Sequence, residues 1–512
     1  MTLGYLIVAL LAAAVALFAP PNSAQTTAYP FPPERISGSW PSIRLSLLST
    51  PPADTLRTMS FWSATRWRQH LVLAHPTDRA VLLLEESAGW ALPVLEMDAG
   101  HPGDAERIAG GVRERFGLDV GVLGCLHHDF DPVTRVGEWV RELENHSPVW
   151  TPTPPARWIS ADDLRSLTLA WPGHRPLLTS WLAGHCRARA PWERRGWLNR
   201  AVGWSQSELW RHGLGKIEHV AQVRAWEFST VLRLTAGAHR FFFKAVPAGR
   251  EREMRVTRRV AERLPHLVAP VIASDVEQGW MLMAGVEGPS LEGIRDVRRW
   301  EAAARAYAGL QIDWIDHTAE LLTLGVRDLR PSCLAAEVDA CFADGPALSP
   351  GLRRDLRPPE IEALRKLSSV LASACTELEA CGIPNTLDHA DLWASNIIDT
   401  ASGPVIIDWE DACLSHPFFG LWYLLESAED RVDDPARAQS RIRDAYLEPW
   451  TRYASSEQLR AAFDLAQRLA PLCFAITFRL DVFPVLDASW ELREFVPFFL
   501  RRLISAWAWQ TG

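Results

Sequence analysis

Read as a pattern of apolar and polar positions, the chain changes character several times along its length. Residues 3–19 form an apolar run of 17 residues, followed by a Pro/Ser/Thr-rich tract to about Thr58. Such a run has the look of a secretory signal or a short membrane anchor. From Trp62 to about Cys186, short apolar runs alternate with turn signals. The runs at 71–74 and 80–84 flank a Pro/Asp turn and predict a hairpin, and 90–95 predicts a further strand. Residues 104–116 have helical spacing with Gly117 placed as a C-cap, while 120–126 and 138–143 read as strands. Ser160 followed by Ala161, Asp162, Asp163 and Leu164 predicts a capped helix start. The stretch 190–213 carries Trp192, Trp197, Trp204 and Trp210, a density that suits a packed junction better than a free tether.

Beyond the junction the periods lengthen. Residues 223–234 and 240–246 predict two strands joined around 235–238, with Lys244 inside the second. A helical run at 251–264 ends at Pro265, and 279–288 predicts a strand that leads into a hinge. Helical patterns then dominate at 300–315, 358–380 and 436–509, interrupted by the buried-type strand 405–407. Phe463, Leu465, Leu469 and Phe474 sit at helical spacing and are assigned to the core.

Composition narrows this picture. At 512 residues the chain exceeds one ordinary domain, and 48% hydrophobic with 22% charged residues places it among globular proteins able to bury large cores. A net charge of −9 gives no basic footprint for nucleic acid, so none is expected as a partner, and it suits a cationic small molecule. The eight cysteines show no metal-ligand spacing, which favours reduced thiols over a disulfide frame. The 24 tryptophans read mainly as core and interdomain packing.

The candidate chemistry lies in Asp388-His389-Ala390-Asp391-Leu392-Trp393-Ala394-Ser395-Asn396, followed by Pro404-Val405-Ile406-Ile407-Asp408-Trp409-Glu410-Asp411. Phosphoryl transfer needs an acceptor hydroxyl held in line and phosphate charge held by metal ions. Asp391 suits the base that orients the hydroxyl, and Asn396 and Asp408 offer hard oxygens for Mg²⁺. The strand between them would project Asp408 from its end towards the loop that holds Asp391. Lys244 is odd as a core residue in Phe241-Phe242-Phe243-Lys244-Ala245-Val246 and is placed to reach nucleotide phosphates. The backbone from Met283 to Gly285 is a candidate adenine contact, since that ring is held by amide and carbonyl groups on an apolar platform. Glu410, Asp411, Glu426, Glu429 and Asp430 are candidates to hold a cationic acceptor.

These motifs, His-x-Asp-x4-Asn followed by Ile-Asp-Trp-Glu, resemble the catalytic and metal-binding segments of the aminoglycoside phosphotransferase-like (choline kinase-type) family. The resemblance covers roughly Val220 to the C-terminus and implies an α+β, bilobal protein-kinase-like fold that uses ATP and Mg²⁺ to phosphorylate a hydroxyl of a small molecule. It implies that Asp391 and His389 form the catalytic loop, with His389 as brace, and that Asn396 and Asp408 hold metal. It further implies that Lys244 contacts phosphates and pairs with a helix glutamate, for which Glu253 is the choice and Glu251 the runner-up. Two positions depart from the family pattern: Ala390 stands where glycine is usual, and Trp226-Glu227-Phe228-Ser229-Thr230 stands where protein kinases carry a Gly-rich loop. That second departure favours the competing reading of a catalytically weak, kinase-like ligand-binding or regulatory protein.

The order of elements in 59–190 is similar to a Nudix hydrolase fold, but only Glu114 falls on a metal-binding position of that family's Arg-Glu-x-x-Glu-Glu-x-Gly helix, with Gly110, Gly111 and Arg115 at the others. A fold without hydrolase activity is expected there. The resulting division is a leader (1–58), a Nudix-like region without its catalytic box (59–190), a packed junction (191–219), a kinase-like N-lobe (220–289) and a helical C-lobe (290–512). An ATP-dependent enzyme belongs in the cytoplasm, which conflicts with an exported leader. The expectation is that translation begins at Met59, the alternative being anchorage through 3–19. Acceptor identity and oligomeric state stay open at this level.

Overall fold

The structure, a computed structural model, describes residues 66–98, 101–131, 134, 136–185, 190–351, 355–429, 431–484 and 491–508. The leader and anchor expectations, Met59, Trp62, Asp430 and Trp509 lie outside these residues. Among the described residues one stretch, Ser456–Val482, is long and apolar enough to cross a membrane, and most of it is buried inside the protein.

The N-terminal part builds two sheets, with one helix between their strands in sequence and two short helices, Ala161–Ser166 and His174–Leu182, after them. Strands β1 (Arg66–Leu73), β4 (Val94–Asp98), β5 (Val120–Asp131) and β6 (Val136–Asn145) form a mixed sheet in the order β4-β1-β6-β5, with β1 and β6 parallel. Strands β2 (Ala80–Glu86), β3 (Gly89–Ala91) and β7 (Ala156–Ser160) form the second, in the order β3-β2-β7. The predicted hairpin of 71–74 with 80–84 is therefore corrected: only an isolated bridge, Ala74 to Val81, links the two runs, and their strands enter different sheets. The single strand predicted at 90–95 is also two strands, parted at Leu92 and Pro93, because proline supplies no donor to a ladder. Helix α1 (Ala105–Phe116) starts as expected: the Asp104 side chain accepts from the Arg107 amide, and Gly117 closes the helix at φ 67°. It buries Ile108 and Val112 in one cluster with Trp67 and Trp139.

Next come α2 (Trp197–Arg211) and a five-stranded antiparallel sheet in the order β11-β12-β10-β9-β8, made of β8 (His219–Ala225), β9 (Thr230–Ala236), β10 (His239–Ala245), β11 (Val271–Asp275) and β12 (Trp280–Ala284). The predicted strand 223–234 is thus two strands broken by a tight tip at 226–229. Side chains alternate along β10, so Phe241, Phe243 and Ala245 pack with Trp192, Trp197 and Trp280 on the α2 side. Phe242 and Lys244 consequently face the other way, into a cleft. Helix α3 (Arg252–Arg263) follows the sheet.

The remainder is mostly helical, including α4 (Val297–Asp313), α5 (Pro358–Ala380), α6 (Leu421–Glu429), α7 (Ser456–Thr477) and α8 (Phe495–Trp507). Phe463, Leu469 and Phe474 are buried in its core, with Leu465 partly buried against it. A small sheet, β13 (Arg327–Leu329), β17 (Cys413–Ser415) and β14 (Thr386–Asp388), leads into the loop 389–396. A hairpin of β15 (Ile397–Thr400) and β16 (Gly403–Ile406) then delivers Ile407 and Asp408.

Candidate active site

Lys244 is the centre of the cleft's charge. Its Nζ lies 2.8 Å from Glu253 Oε1 on α3, 2.9 Å from Asp408 Oδ1 and 3.1 Å from Glu410 Oε2, and its side chain is only 6% exposed. Glu253 is thus the helix carboxylate that meets the lysine, whereas Glu251 accepts from the Gly249 amide outside the cluster. Burial disfavours the charged lysine, but the carboxylates of Asp408, Glu253 and Glu410 outweigh it and hold the ammonium well above its ordinary range. One lysine cannot neutralise three acids. Glu410 also receives Arg250 at 2.5 Å, and burial of its carboxyl is outweighed by Lys244 and Arg250, so it stays below its usual value. Glu253 has a second oxygen with no hydrogen-bond partner among the described residues, and burial raises its carboxyl despite Lys244.

The loop that carries Asp391 is fixed from beneath. Asp388, fully buried, accepts from the Tyr307 hydroxyl at 2.7 Å, the Ser415 hydroxyl at 3.0 Å and the Ala390 amide at 3.0 Å. The Tyr307 oxygen also accepts from the His389 amide. His389 Nε2 stands 2.9 Å from the Ile407 carbonyl, which can only accept, so that nitrogen carries the proton. Burial pushes the imidazole down to about 4, leaving it neutral and tying the loop to the chain segment that ends in Asp408. Ala390 takes φ 57° and Asp408 φ 67°, both in the left-handed region. Aspartate tolerates that conformation, whereas alanine does so at some cost.

Asn396 donates from Nδ2 to the Asp391 carbonyl at 2.9 Å and to Asp391 Oδ2 at 3.0 Å. Its Oδ1 is buried without a hydrogen-bond partner among the described residues, and an acceptor oxygen in that state suits a hard cation. Asp408 supplies a carboxylate beside Lys244, and one oxygen each from Glu253, Asp408 and Glu410 lie within 4.8 Å of one another. The donor set around Asp408 is all oxygen, in keeping with Mg²⁺. Asp391 is raised well above the ordinary carboxylate range by burial first, then by Asp411, Asp408 and Glu410.

Two cavities meet at Asp408. The larger has about 820 Å³ of empty space and runs between the five-stranded sheet and the β15–β16 hairpin. Its apolar walls include Val231 and Phe242 above and Ile398 and Ile407 below, with Met283 at the edge and Lys244 and Glu253 at the inner end. Gly285, expected beside Met283 as an adenine contact, does not line it, and the Gly285 amide is already spent on the Arg240 carbonyl at 2.8 Å. The smaller cavity, about 480 Å³, is lined by Asp391, Asp408, Glu410 and Asp411 together with Trp226, Phe228 and Phe478. Burial and Glu410 raise Asp411 to about 7, against the pull of Arg250.

Of the acidic candidates, Glu410 and Asp411 reach this cavity, while Glu426 pairs with Arg502 at 2.7 Å and Glu429 is exposed. Sequence reasoning missed Arg224, a fully buried guanidinium that lines the larger cavity; burial lowers it to about 9, opposed by Asp104 and Asp408. It missed Arg250 as the second counter-ion of Glu410. A basic residue in an otherwise apolar strand end was the available signal for Arg224, the same signal that singled out Lys244.

A buried lysine–glutamate pair on one side and an Asp/Asn loop on the other thus flank the oxygen-rich set around Asp408. A sequence model described as "Phosphotransferase enzyme family" (APH) matches residues 219–455, which contain all of these groups. No curated protein matches the chain. Among solved structures, an ethanolamine kinase of Plasmodium vivax is similar at 15% identity over 62% of this chain and 89% of its own, with a TM-score of 0.42. The choline kinase LicA of Streptococcus pneumoniae is similar at 13% identity over 60% of this chain and 98% of its own, with a TM-score of 0.41. A macrolide 2′-phosphotransferase of Brachybacterium faecium is similar at 14% identity, over 59% and 98%, with a TM-score of 0.38.

Proposed function

We propose that this protein is an ATP- and Mg²⁺-dependent kinase that phosphorylates a hydroxyl of a small cationic molecule. The observation that carries this is the meeting of two cavities at Asp408, one apolar and closed by Lys244, the other bearing Asp391 and three further carboxylates. In this reading the adenine lies between the Val231/Phe242 and Ile398/Ile407 walls, and Lys244, held by Glu253, takes the phosphates. Asn396 and Asp408 hold Mg²⁺, which when bound neutralises phosphate charge. Asp391, oriented by Asn396 Nδ2, accepts the proton of the acceptor hydroxyl, and its raised affinity for protons suits that task. The excess of carboxylate in the smaller cavity over its one lining guanidinium, Arg250, together with the aromatic side chains of Trp226 and Phe478, favours a positively charged acceptor.

The two-sheet topology of the N-terminal part supports a Nudix-like reading of that region, and exposed Glu114 fits a surface role in place of a metal site. The division into leader, Nudix-like region, junction and two lobes is proposed on the same footing, with the cytoplasm as the compartment.

The test is an ADP-release screen with ATP and Mg²⁺ in which hydroxylated ammonium and guanidinium compounds run beside neutral sugars. Cationic acceptors should be turned over in preference. Turnover of the neutral set alone, or of nothing, would overturn the reading.

A further inference from the structure

The tip between β8 and β9 occupies the place of a phosphate-binding loop, yet it is built from Trp226, Glu227, Phe228 and Ser229, without glycine. It faces both cavities: Ser229 lines the larger, Trp226 and Phe228 the smaller. A loop without glycine must be shaped by its surroundings, and here residues far away in sequence, outside the family match, do the shaping. Trp192 Nε1 donates to the Trp226 carbonyl at 3.0 Å. The Ala225 amide donates to the Gly103 carbonyl at 3.2 Å, an isolated antiparallel backbone bridge pairs Asp104 with Arg224, and the His101 ring meets the Trp226 ring edge-on at 5.6 Å. Farther along β8 the Gln222 amide closes a two-bond clasp on the Val122 backbone, at 2.8 and 2.9 Å. The N-terminal part thus covers the open edge of the five-stranded sheet.

The contacts continue into the site. Trp226 Nε1 donates to Ser229 Oγ at 3.1 Å, which orients that oxygen and leaves its O–H to donate elsewhere. The Arg250 guanidinium lies over the Phe228 ring at 4.7 Å and reaches Glu410, a partner of Lys244.

We propose that the N-terminal part is a brace for this loop, and that Trp192 and Gly103 are positioning residues through which it presents Ser229 to the nucleotide and Trp226 and Phe228 to the acceptor. This rests on the kinase reading for the identity of the ligands, though not for the existence of the brace.

Trp192→Phe keeps an aromatic ring and deletes the donor, while Gly103→Ala places a Cβ 3.0 Å from the Ala225 carbonyl oxygen and from the His101 ring, so one of these neighbours must give by a few tenths of an ångström. Trp150→Phe is the control, since it deletes a bond of the same kind, Trp150 Nε1 to the Phe116 carbonyl at 2.9 Å, in the N-terminal part but away from the loop. Hydrogen–deuterium exchange on the full chain should show the 225–230 amides opening about fivefold faster in either loop variant, the value of one neutral hydrogen bond, and unchanged in the control. KM for ATP should rise by a similar factor, with that of the control unmoved. Should Trp192→Phe fail to fold, Gly103→Ala carries the same test. Unchanged exchange at 225–230 in the folded loop variants would overturn the brace. Wild-type protein that turns over no acceptor would instead overturn the kinase reading and leave the exchange result standing.

Discussion

Replacing Lys244 by methionine isolates the energetics of the site. The lysine touches three carboxylates within 3.1 Å and is almost wholly buried, so methionine preserves the stem and removes the only ammonium among them. The loss is unequal. Glu410 keeps Arg250, and Asp408 keeps the field of Arg224, but Glu253 is left with no cation within ion-pair distance among the described residues. Removing one partner of a buried ion pair costs about 3–5 kcal/mol because the other charge stays desolvated. Urea unfolding at neutral pH should therefore show Lys244→Met destabilised by about that amount. Adding Glu253→Gln removes the stranded acid, which must otherwise stay desolvated or take up a proton, and the double variant should be more stable than the sum of the single effects by roughly 1–3 kcal/mol. A loss below about 1 kcal/mol, as expected for a solvent-facing lysine, with no recovery in the double variant, would refute the account of the cluster.

Other consequences are as specific. His416 is buried and held neutral, with burial lowering it to about 3, while His389 is lowered to about 4. A base with a depressed folded pKa stabilises above its unfolded value near 6.5 and loses that contribution as pH falls towards the folded value; at pH 5 each histidine has forfeited about 2 kcal/mol. Substituting His416→Leu should flatten the fall in stability between pH 6.5 and 5, measured by urea titration, and an unchanged slope would contradict its neutral burial. Ala390→Gly should relieve about 1–2 kcal/mol of left-handed strain against about 0.5–1 kcal/mol of added unfolded-state entropy. A small stabilisation with turnover intact is expected, and clear destabilisation would mean that the methyl is needed for packing.

Much of the site was legible because its parts sit at fixed spacings on regular elements. Strand alternation placed Lys244 opposite Phe243, and Glu253, in the first turn of α3, faces it while Glu251 stands just before the helix. Asp391 and Asn396, five residues apart, read as members of one loop, whereas the hydrogen bond between their side chains is seen only in the structure. Pairing partners were less legible. Residues 71–74 and 80–84 have a local turn between them, yet the partners that complete their sheets lie at 136–145 and 156–160, which no local pattern reveals. The break in 223–234 was hidden because Trp226 and Phe228 favour strands as much as their neighbours do. The contacts that meet the tip, from Trp192 and His101 to Trp226 and from Gly103 to Ala225, come from far away in sequence. Gly285 looked like a free hinge amide, and only the fold shows it bound to Arg240.

The most direct test of the central claim compares wild-type protein with Asp391→Asn, using ³¹P NMR to follow a phosphate monoester formed from ATP, Mg²⁺ and a cationic hydroxyl acceptor, with ATP affinity measured alongside by calorimetry. Asparagine keeps the size of the side chain and its contact with Asn396 but cannot take the proton, so ester formation should fall by about 10²–10⁴-fold with ATP affinity nearly unchanged. Equal rates of ester formation by the two proteins would contradict the account.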